Sequence, residues 1–199
     1  MKITELQTYI VATPAPHIGG MYWIFVRLKT TCGIEGVGEI YSATFHPKAQ
    51  VPMIEDVFQR YLYGHDPHHI ERFYRQCYSS GFTQRPDLSM MGIVSGLEMA
   101  CWDIIGKAAN LPVYELIGGK VNEKLRCYTY LYPKNAAGDY DYSDPYLAAE
   151  SAAENRQKGF TAVKFDPAGP YTAYSGHHLS LEVMDRCELF CKLIREAVG

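Results

Sequence analysis

Lys164 and Asp166 are the two residues whose types and spacing most directly suggest chemistry. They lie two positions apart in FTAVKFDP, residues 160–167, a short and mostly apolar segment typical of a strand buried on both faces. Side chains two apart on a strand point to the same side. The lysine ammonium could stabilise negative charge that develops during a reaction, and the aspartate could accept a hydrogen bond from a hydroxyl or keep the lysine charged. The alternative is an incidental ion pair at the end of a strand.

Three further residues are candidates for binding a polar substrate. His17 lies in a loop rich in turn formers at 13–20, and His46 lies in a second loop at 42–48. Each imidazole could bind a hydroxyl, or could simply be exposed to solvent. Tyr130 alternates with Leu131 on a predicted strand, so one set of side chains must face inward, and Tyr130 is a pocket candidate. The surrounding tyrosines either line a polar pocket or form an amphipathic surface; they are Tyr128, Tyr132, Tyr140, Tyr142 and Tyr146, followed later by Tyr171 and Tyr174.

The other histidines and the cysteines favour structural interpretations. His65, His68 and His69 flank a predicted helix start and are interpreted as surface residues, not as a metal site. His177 and His178 lie in the loop after the predicted strand at 160–167, and their role is left open. The six cysteines are interpreted as buried, reduced thiols, because the sequence shows neither a signal peptide nor tight cysteine spacing.

The first half of the sequence predicts an antiparallel meander with helices. Alternating or β-branched segments separated by turn residues indicate three strands, at 2–11, 21–30 and 37–41. Apolar residues at three- and four-residue spacing predict helices at 50–62, 90–109 and 113–117. Another helix is expected to begin at Asp66-Pro67, with Asp as cap and Pro in the first turn, and to run to about residue 78.

The second half alternates strands and helices. Strands are predicted at 125–132 and 160–167, and helices at 146–158 and 180–198. This order is typical of parallel βα units. A barrel of eight such units takes about 250 residues, so two units cannot close one. We therefore expect a truncated barrel.

Bulk composition excludes several classes of protein. The 199 residues carry 19 Lys and Arg against 22 Asp and Glu, a formal net charge of −3, with no basic run. Neither nucleic acid nor an anionic membrane is expected as a partner. The start MKITELQTYIVATP has no long apolar core, and no stretch approaches the roughly 20 apolar residues of a membrane span. We expect a cytoplasmic protein.

Residues 95–119, SGLEMACWDIIGKAANLPVYELIGG, carry a resemblance to a known family. They resemble the hallmark segment of the mandelate racemase and muconate lactonizing enzyme group of the enolase superfamily: Ala-x-Trp-Asp, then Gly-Lys, then Pro, then Leu-x-Gly-Gly. The motif Gly36-x-Gly38-Glu39 also matches the first domain of that group. We expect Trp102 and Asp103 in this segment to pack rather than to touch substrate.

The resemblance implies an α+β capping domain, residues 1–119, followed by the start of an enolase-type (β/α) barrel, residues 120–199. In this group the barrel binds Mg²⁺ through acidic residues on its third, fourth and fifth strands, so the metal ligands are expected beyond Gly199. The two capping loops that hold His17 and His46 close over substrate in this group. Members often have Lys-x-Lys on the second barrel strand, with the second Lys as a base, whereas this sequence has Asp166 there. The resemblance also implies a homo-oligomer, and the remainder of the barrel as a covalent or companion partner.

The favoured function is Mg²⁺-dependent dehydration of a sugar acid of the aldonate or aldarate type. Removal of the proton next to the carboxylate gives an enediolate, which Lys164 would stabilise, and loss of water gives a 2-keto-3-deoxy acid. The complete protein would be a hydro-lyase. One alternative is racemisation, epimerisation or cycloisomerisation within the same superfamily. Another is an inactive fragment or a binding module that lacks the metal site, since we expect these 199 residues alone to be inactive.

Overall fold

The computed structural model describes residues 1–15, 17–41, 45–79, 87–169, 176 and 178–199, which divide into two units. Unit 1 comprises Met1–Val121, and unit 2 comprises Asn122–Gly199. The domain boundary predicted at 119/120 lies two residues before this division.

Unit 1 contains a three-stranded antiparallel sheet, which confirms the predicted meander. Its strands are β1 (Ile3–Ala12), β2 (Tyr22–Thr30) and β3 (Glu35–Ile40), in the order β1-β2-β3. Alternation along β2 places Ile24, Val26 and Leu28 on one face, where each is almost fully buried. That face and the helices form the hydrophobic core of the unit.

Among the described residues of unit 1, four helices follow the sheet: α1 (Pro47–Tyr61), α2 (Ile70–Ser79), α3 (Leu88–Ala109) and α4 (Val113–Leu116). The long helix α3 supplies much of the core, including Leu97, Ala100 and Ile104. By length and composition α3 could cross a membrane, but 56% of its most apolar window is buried inside the unit. A core helix passes the same test, so this property does not indicate a membrane span.

The predicted start of α2 at Asp66-Pro67 is wrong, because the residues after Asp66 form a separate turn before the helix. The Asp66 carboxylate accepts bonds from the backbone N–H and the ring Nδ1 of His68, at 3.0 and 2.7 Å. It also accepts a bond from the ammonium of Met1 at 3.1 Å. The segment forms a turn, in which the His69 N–H donates to the Asp66 carbonyl, and the helix begins only at Ile70.

Glycines allow β3 and α3 to pack backbone against backbone. A Cβ added at Gly36 would lie 2.1 Å from the Ala100 carbonyl oxygen, and one at Gly38 would lie 1.9 Å from the Gly96 carbonyl oxygen. Any larger side chain at these positions would push the helix off the strand. The Gly-x-Gly motif therefore has a packing role.

Asp103 and Lys107 join α3 to β3 through polar contacts. The Asp103 Oδ2 accepts a hydrogen bond from the Val37 N–H at 2.9 Å. The Lys107 ammonium donates to that same oxygen at 2.7 Å and to the Glu35 carbonyl at 2.8 Å. The Asp and Lys of the hallmark segment thus satisfy backbone groups of β3, which explains their presence without a substrate.

Unit 2 has the predicted strand–helix–strand–helix order. Its elements are β4 (Thr129–Tyr130), α5 (Pro145–Gln157), β5 (Val163–Lys164) and α6 (Leu181–Val198). The two strands pair in parallel, with Tyr130 opposite Lys164. The fold class is therefore confirmed, although both strands are much shorter than predicted. In the described sheet β4 and β5 pair only with each other, so few of their residues gain ladder hydrogen bonds.

A small core joins the strands of unit 2 to its helices. Its buried members are Leu131, Ala148, Ala152, Phe190 and Ile194. Phe165 stacks on Phe190 with ring centroids 6.3 Å apart, so this side of β5 faces α6.

All six cysteines of the chain are unpaired. Burial raises the pKa of the Cys77 and Cys101 thiols to about 12. The expectation of buried thiols is wrong for Cys32, Cys127 and Cys191, which are exposed.

Candidate active site

Three predicted site residues, Tyr130, Lys164 and Asp166, lie together at the carboxyl ends of β4 and β5. Tyr130 and Lys164 are register partners, and the Lys164 ammonium lies 5.7 Å from the centroid of the Tyr130 ring. Lys164 and Asp166 are exposed, whereas Phe165 between them packs against the core. The expected alternation is therefore preserved, although Asp166 lies beyond the last residue of β5.

The electrostatic surroundings of Tyr130 connect it to Asp166. Burial raises the pKa of the Tyr130 phenol, and the negative charge of Asp166 raises it further. The phenol thus remains protonated at neutral pH and can donate a hydrogen bond. A cation, a carboxylate and a phenol are combined on one surface, a set suited to binding a hydroxy acid.

Tyr130 belongs to a closed cluster of four tyrosines, Tyr130, Tyr132, Tyr140 and Tyr142, here called the tyrosine cluster. Tyr130 contacts Tyr132 and Tyr142, with centroid distances of 5.7 and 6.4 Å. Tyr140 contacts Tyr132 edge-on at 6.1 Å and stacks on Tyr142 at 6.0 Å. Each ring is held by two others, and such pairs add about 0.5–1.5 kcal/mol beyond their buried area. For these four rings the arrangement favours the pocket interpretation, whereas Tyr128 and Tyr146 are exposed.

The loop between β4 and α5 fixes Tyr140 and Tyr142. Residues Lys134 and Tyr140 form an antiparallel bridge, and the Asp141 N–H donates to the Pro133 carbonyl at 3.0 Å. The Asn135 side chain closes the tip by accepting bonds from two backbone N–H groups at 3.0 Å. The loop therefore has a hydrogen-bonded framework of its own.

Asp141 and Ser143 add polar groups beside the cluster. The Asp141 Oδ1 accepts bonds from the Ser143 hydroxyl at 2.6 Å and from its N–H at 2.9 Å. These bonds hold the pKa of the Asp141 carboxyl below its usual value, so it is ionised at neutral pH. Asp144 then caps α5 by accepting from the Tyr146 and Leu147 N–H groups.

A cavity of about 430 Å³ opens beside these groups. Its polar lining includes Asp141, Ser143 and Asp166, with three rings of the tyrosine cluster, while its floor includes Leu131 and Phe190. Apolar and aromatic walls with a few placed polar groups are typical of small-molecule sites.

Arg186 of α6 steadies the rim of this cavity. Its guanidinium donates to the Gly169 carbonyl at 2.7 Å, and Gly169 lines the cavity beside Asp166. Asp141, Ser143 and Arg186 were missed from the sequence. Asp-x-Ser just before the Asp-Pro start of a helix was a usable signal for the first two.

His17, in unit 1, is an exposed residue of the 13–20 loop. It has a positive φ of 61°, which is uncommon outside glycine. Its Nδ1 lies 2.7 Å from the Thr13 carbonyl oxygen. A carbonyl can only accept, so Nδ1 carries the proton, and the other ring nitrogen of neutral His17 is an acceptor.

His46 is the N-cap of α1, and not only the loop residue that the sequence suggested. Its Nδ1 accepts a bond from the Lys48 N–H at 3.2 Å, so the proton of neutral His46 lies on Nε2, which is a donor. The ring packs on Tyr22 with centroids 5.3 Å apart. Both rings line a second cavity of about 570 Å³, with Gly19 and Gly20 from the first loop.

The structure thus groups the predicted residues by unit: Tyr130, Lys164 and Asp166 in unit 2, and His17 and His46 in unit 1. His68 pairs with Asp66, and His178 is exposed. His177, Tyr171 and Tyr174 lie outside the described residues. In the described part of the chain, no three His, Cys, Asp or Glu side chains cluster as a metal site. We therefore assign none of the described residues to Mg²⁺.

Comparison with known proteins identifies the family. The family described as "Mandelate racemase / muconate lactonizing enzyme, N-terminal domain" matches residues 9–118. The chain belongs to this family. It is 32% identical over 182 residues to a D-gluconate dehydratase of Thermoproteus tenax, covering 89% of this chain and 33% of that protein. It is 29% identical over 204 residues to a D-xylonate dehydratase of Haloferax volcanii, covering 100% of this chain and 45% of that protein.

Solved structures of family members have the same fold. A crystal structure from Burkholderia SAR-1, provisionally named mandelate racemase/muconate lactonizing enzyme, is 76% identical with a TM-score of 0.96. It matches 100% of this chain and 49% of that one. A provisionally named dehydratase from Mesorhizobium loti is 29% identical with a TM-score of 0.83, over 100% of this chain and 51% of that one. The chain therefore spans between a third and about half the length of these relatives.

Proposed function

We propose that this chain is part of a hydro-lyase that eliminates water from a sugar acid and gives a 2-keto-3-deoxy acid. The observation that carries the proposal is the grouping of Lys164, Asp166 and Tyr130 at the carboxyl ends of two parallel strands. Active sites of (β/α) barrels form at this end. The proposal is supported by family membership and by the relatives that are named dehydratases of gluconate, galactonate and xylonate.

Lys164 has the electrostatic role in this proposal. When a base removes the proton from the carbon next to the carboxylate, negative charge builds up on the carboxylate oxygens. The ammonium stabilises that charge, and such preorganised groups each contribute about 10²–10³-fold to the rate. The base keeps the proton that it has removed. An acid then donates a proton to the hydroxyl on the next carbon, which leaves as water. The resulting enol tautomerises to the keto acid.

Asp166 and the capping histidines have binding roles in the proposal. Asp166 accepts a hydrogen bond from a substrate hydroxyl, and Tyr130 donates one. His17 offers an acceptor nitrogen and His46 a donor nitrogen, so each loop would recognise a hydroxyl in a different way. The base, the acid and the ligands of an Mg²⁺ ion, which would supply further charge stabilisation, are assigned to barrel strands beyond this chain. We further propose a cytoplasmic homo-oligomer.

The test replaces Lys164 by methionine in the protein expressed from its complete gene. Lys164→Met keeps the length of the side chain and removes its charge, so the rate of water elimination from D-galactonate, D-gluconate or D-xylonate should fall at least about 100-fold. Lys192→Met, an exposed lysine of α6, is the matched control and should leave the rate unchanged.

Product analysis separates the alternatives. If the product is an epimer of the acid and no 2-keto-3-deoxy acid forms, the proposed reaction is epimerisation and not dehydration. Turnover by residues 1–199 alone would overturn the assignment of the remaining catalytic groups to strands outside this chain.

A further inference from the structure

We propose that the tyrosine cluster and Asp141 form a subsite that binds the hydroxylated carbon chain of the substrate, up to its terminal hydroxyl. The inference rests on the proposed function for the identity of the ligand as a sugar acid. It assigns recognition of the chain to the loop between β4 and α5.

The subsite is preorganised before any ligand arrives. The four rings contact one another in a closed circuit, and the loop that carries Tyr140 and Tyr142 is bridged to itself at Lys134 and Asp141. Binding to a surface already held in place costs little ordering entropy. Tyr142 contacts Tyr130 and Tyr140, yet it is 47% exposed and lines the cavity, so part of its ring is accessible to a ligand.

The charges around the rings select the ligand class. The ammonium groups of Lys134 and Lys164 already lie 5.1 and 5.7 Å from the Tyr140 and Tyr130 rings. A cationic ligand, the usual occupant of an aromatic cage, would meet like charge there. An anionic group beside Tyr142 would meet Asp141 on the cavity wall. A neutral chain with both C–H and O–H groups fits, because its C–H groups can pack on the rings.

Asp141 supplies the hydrogen-bond acceptor for a hydroxyl. An ionised carboxylate has about four acceptor positions; Ser143 uses two of them through its N–H and hydroxyl, and the Asp144 N–H also bonds to the carboxylate. The Ser143 hydroxyl donates its proton to Asp141, so its oxygen can only accept from a ligand. The Asp141 carboxylate and the Ser143 oxygen are therefore two neighbouring acceptors, and they match a hydroxyl group of the substrate that donates.

The subsite is continuous with the proposed carboxylate-binding lysine. Tyr130 lies opposite Lys164 in the strand register, and its ring contacts Tyr142 at 6.4 Å. A substrate whose carboxylate meets Lys164 would extend across Tyr130 towards Tyr142 and Asp141. This loop would then contact the end of the substrate's carbon chain, so it would select for the length of the substrate and for its last hydroxyl.

The experiment measures binding by calorimetry with the protein expressed from its complete gene. The probes are D-galactonate, D-gluconate and D-xylonate, each paired with its analogue that lacks the terminal hydroxyl. At least one acid should bind about tenfold more tightly than its deoxy analogue, as expected for a hydrogen bond to a charged group. Asp141→Asn should reduce that preference to about twofold or less, because the amide keeps the turn with Ser143 but loses the charge.

Two controls isolate the subsite. Asp139→Asn makes the same chemical change in the same loop, at an exposed residue away from the cavity lining, and should keep the full preference. Tyr142→Leu should weaken binding of each acid and its deoxy analogue alike by about tenfold through loss of ring contact, whereas Tyr146→Leu on α5 should not.

The outcomes are distinct from those of the proposed function. Absence of any preference for the terminal hydroxyl, absence of binding by all three acids, or a preference unchanged by Asp141→Asn would overturn the subsite. Selective binding that depends on Asp141 but yields no keto acid would sustain the subsite and overturn dehydration.

Discussion

Units 1 and 2 achieve their packing in different ways. In unit 1, β3 and α3 approach closely enough that their backbones meet at Gly36 and Gly38, and the core includes residues from the sheet and from three helices. In the described part of unit 2, β4 and β5 have two residues each, and the core that they share with α5 and α6 has five buried residues. The first unit has a complete hydrophobic core, whereas the second presents its polar site residues on strands that pair only with each other in the described sheet. The described sheet of unit 2 therefore contributes less to its core than the sheet of unit 1 contributes to its own.

The largest expected effect tests the backbone contact of unit 1. Gly38→Ala places a methyl group 1.9 Å from the Gly96 carbonyl oxygen, a position that no rotamer change can relieve. We expect a loss of at least about 3 kcal/mol in the free energy of unfolding, measured by urea denaturation. Val37→Ala, at an exposed neighbouring residue of the same strand, should change it by less than about 1 kcal/mol. Equal effects of the two changes would contradict the close approach.

A second prediction tests whether the units unfold separately. Leu131→Ala removes a buried side chain from the small core of unit 2, and Leu97→Ala removes one from the core of unit 1. Each should cost about 2–5 kcal/mol. Hydrogen exchange should show loss of protection in α5 and α6 for the first variant, with α3 unaffected, and the reverse for the second. If both variants expose both units together, the units unfold as one and the prediction of separate unfolding is wrong.

The smallest expected effect concerns the acid stability of unit 1. Bonds from His68, and then from the Met1 ammonium, hold the pKa of Asp66 well below its usual value. The unfolded state therefore binds a proton at this residue before the folded state does, and the stabilisation is lost as pH falls below about 4. Asp66→Asn should make the decline of the unfolding free energy with falling pH less steep. Asp139→Asn, an exposed aspartate of unit 2, should leave that slope unchanged, and a slope unaffected by both changes would show that the Asp66 contacts add no stability.

The two Asp-Pro pairs show how far the sequence predicts this fold. Asp144-Pro145 caps α5, while Asp66-Pro67, with the same local signal, does not begin α2. Both aspartates accept a bond from the backbone N–H two residues further on, so this local contact does not distinguish them. Asp66 also accepts a bond from Met1, 65 positions away, a contact that no local pattern reveals. The strands of unit 1 and the helix α3 were predictable because their apolar periodicity agrees with the core that they form.

The candidate site was predictable only in part, for a similar reason. Lys164, Asp166 and Tyr130 follow from strand alternation at the end of a βα unit. The closed contacts among Tyr132, Tyr140 and Tyr142 depend on the hydrogen-bonded shape of a loop, and the spacing of the tyrosines alone left pocket and surface as alternatives. The donor and acceptor roles of His46 and His17 depend on single backbone contacts, at Lys48 and Thr13, that are absent from the sequence pattern.

The contacts of Asp103 and Lys107 with β3 have a consequence for how the sheet of unit 1 can grow. An unpaired strand edge is a template for another chain, and edge-to-edge pairing is a common route to aggregation. Here a helix carboxylate and a helix ammonium occupy backbone groups that a further strand would otherwise use. Strand addition beside β3 would have to displace both side chains. At the other edge of the described sheet, Ile3 of β1 bonds through its N–H and C=O to His65 and Gly64, so a further strand could pair only with the later residues of β1.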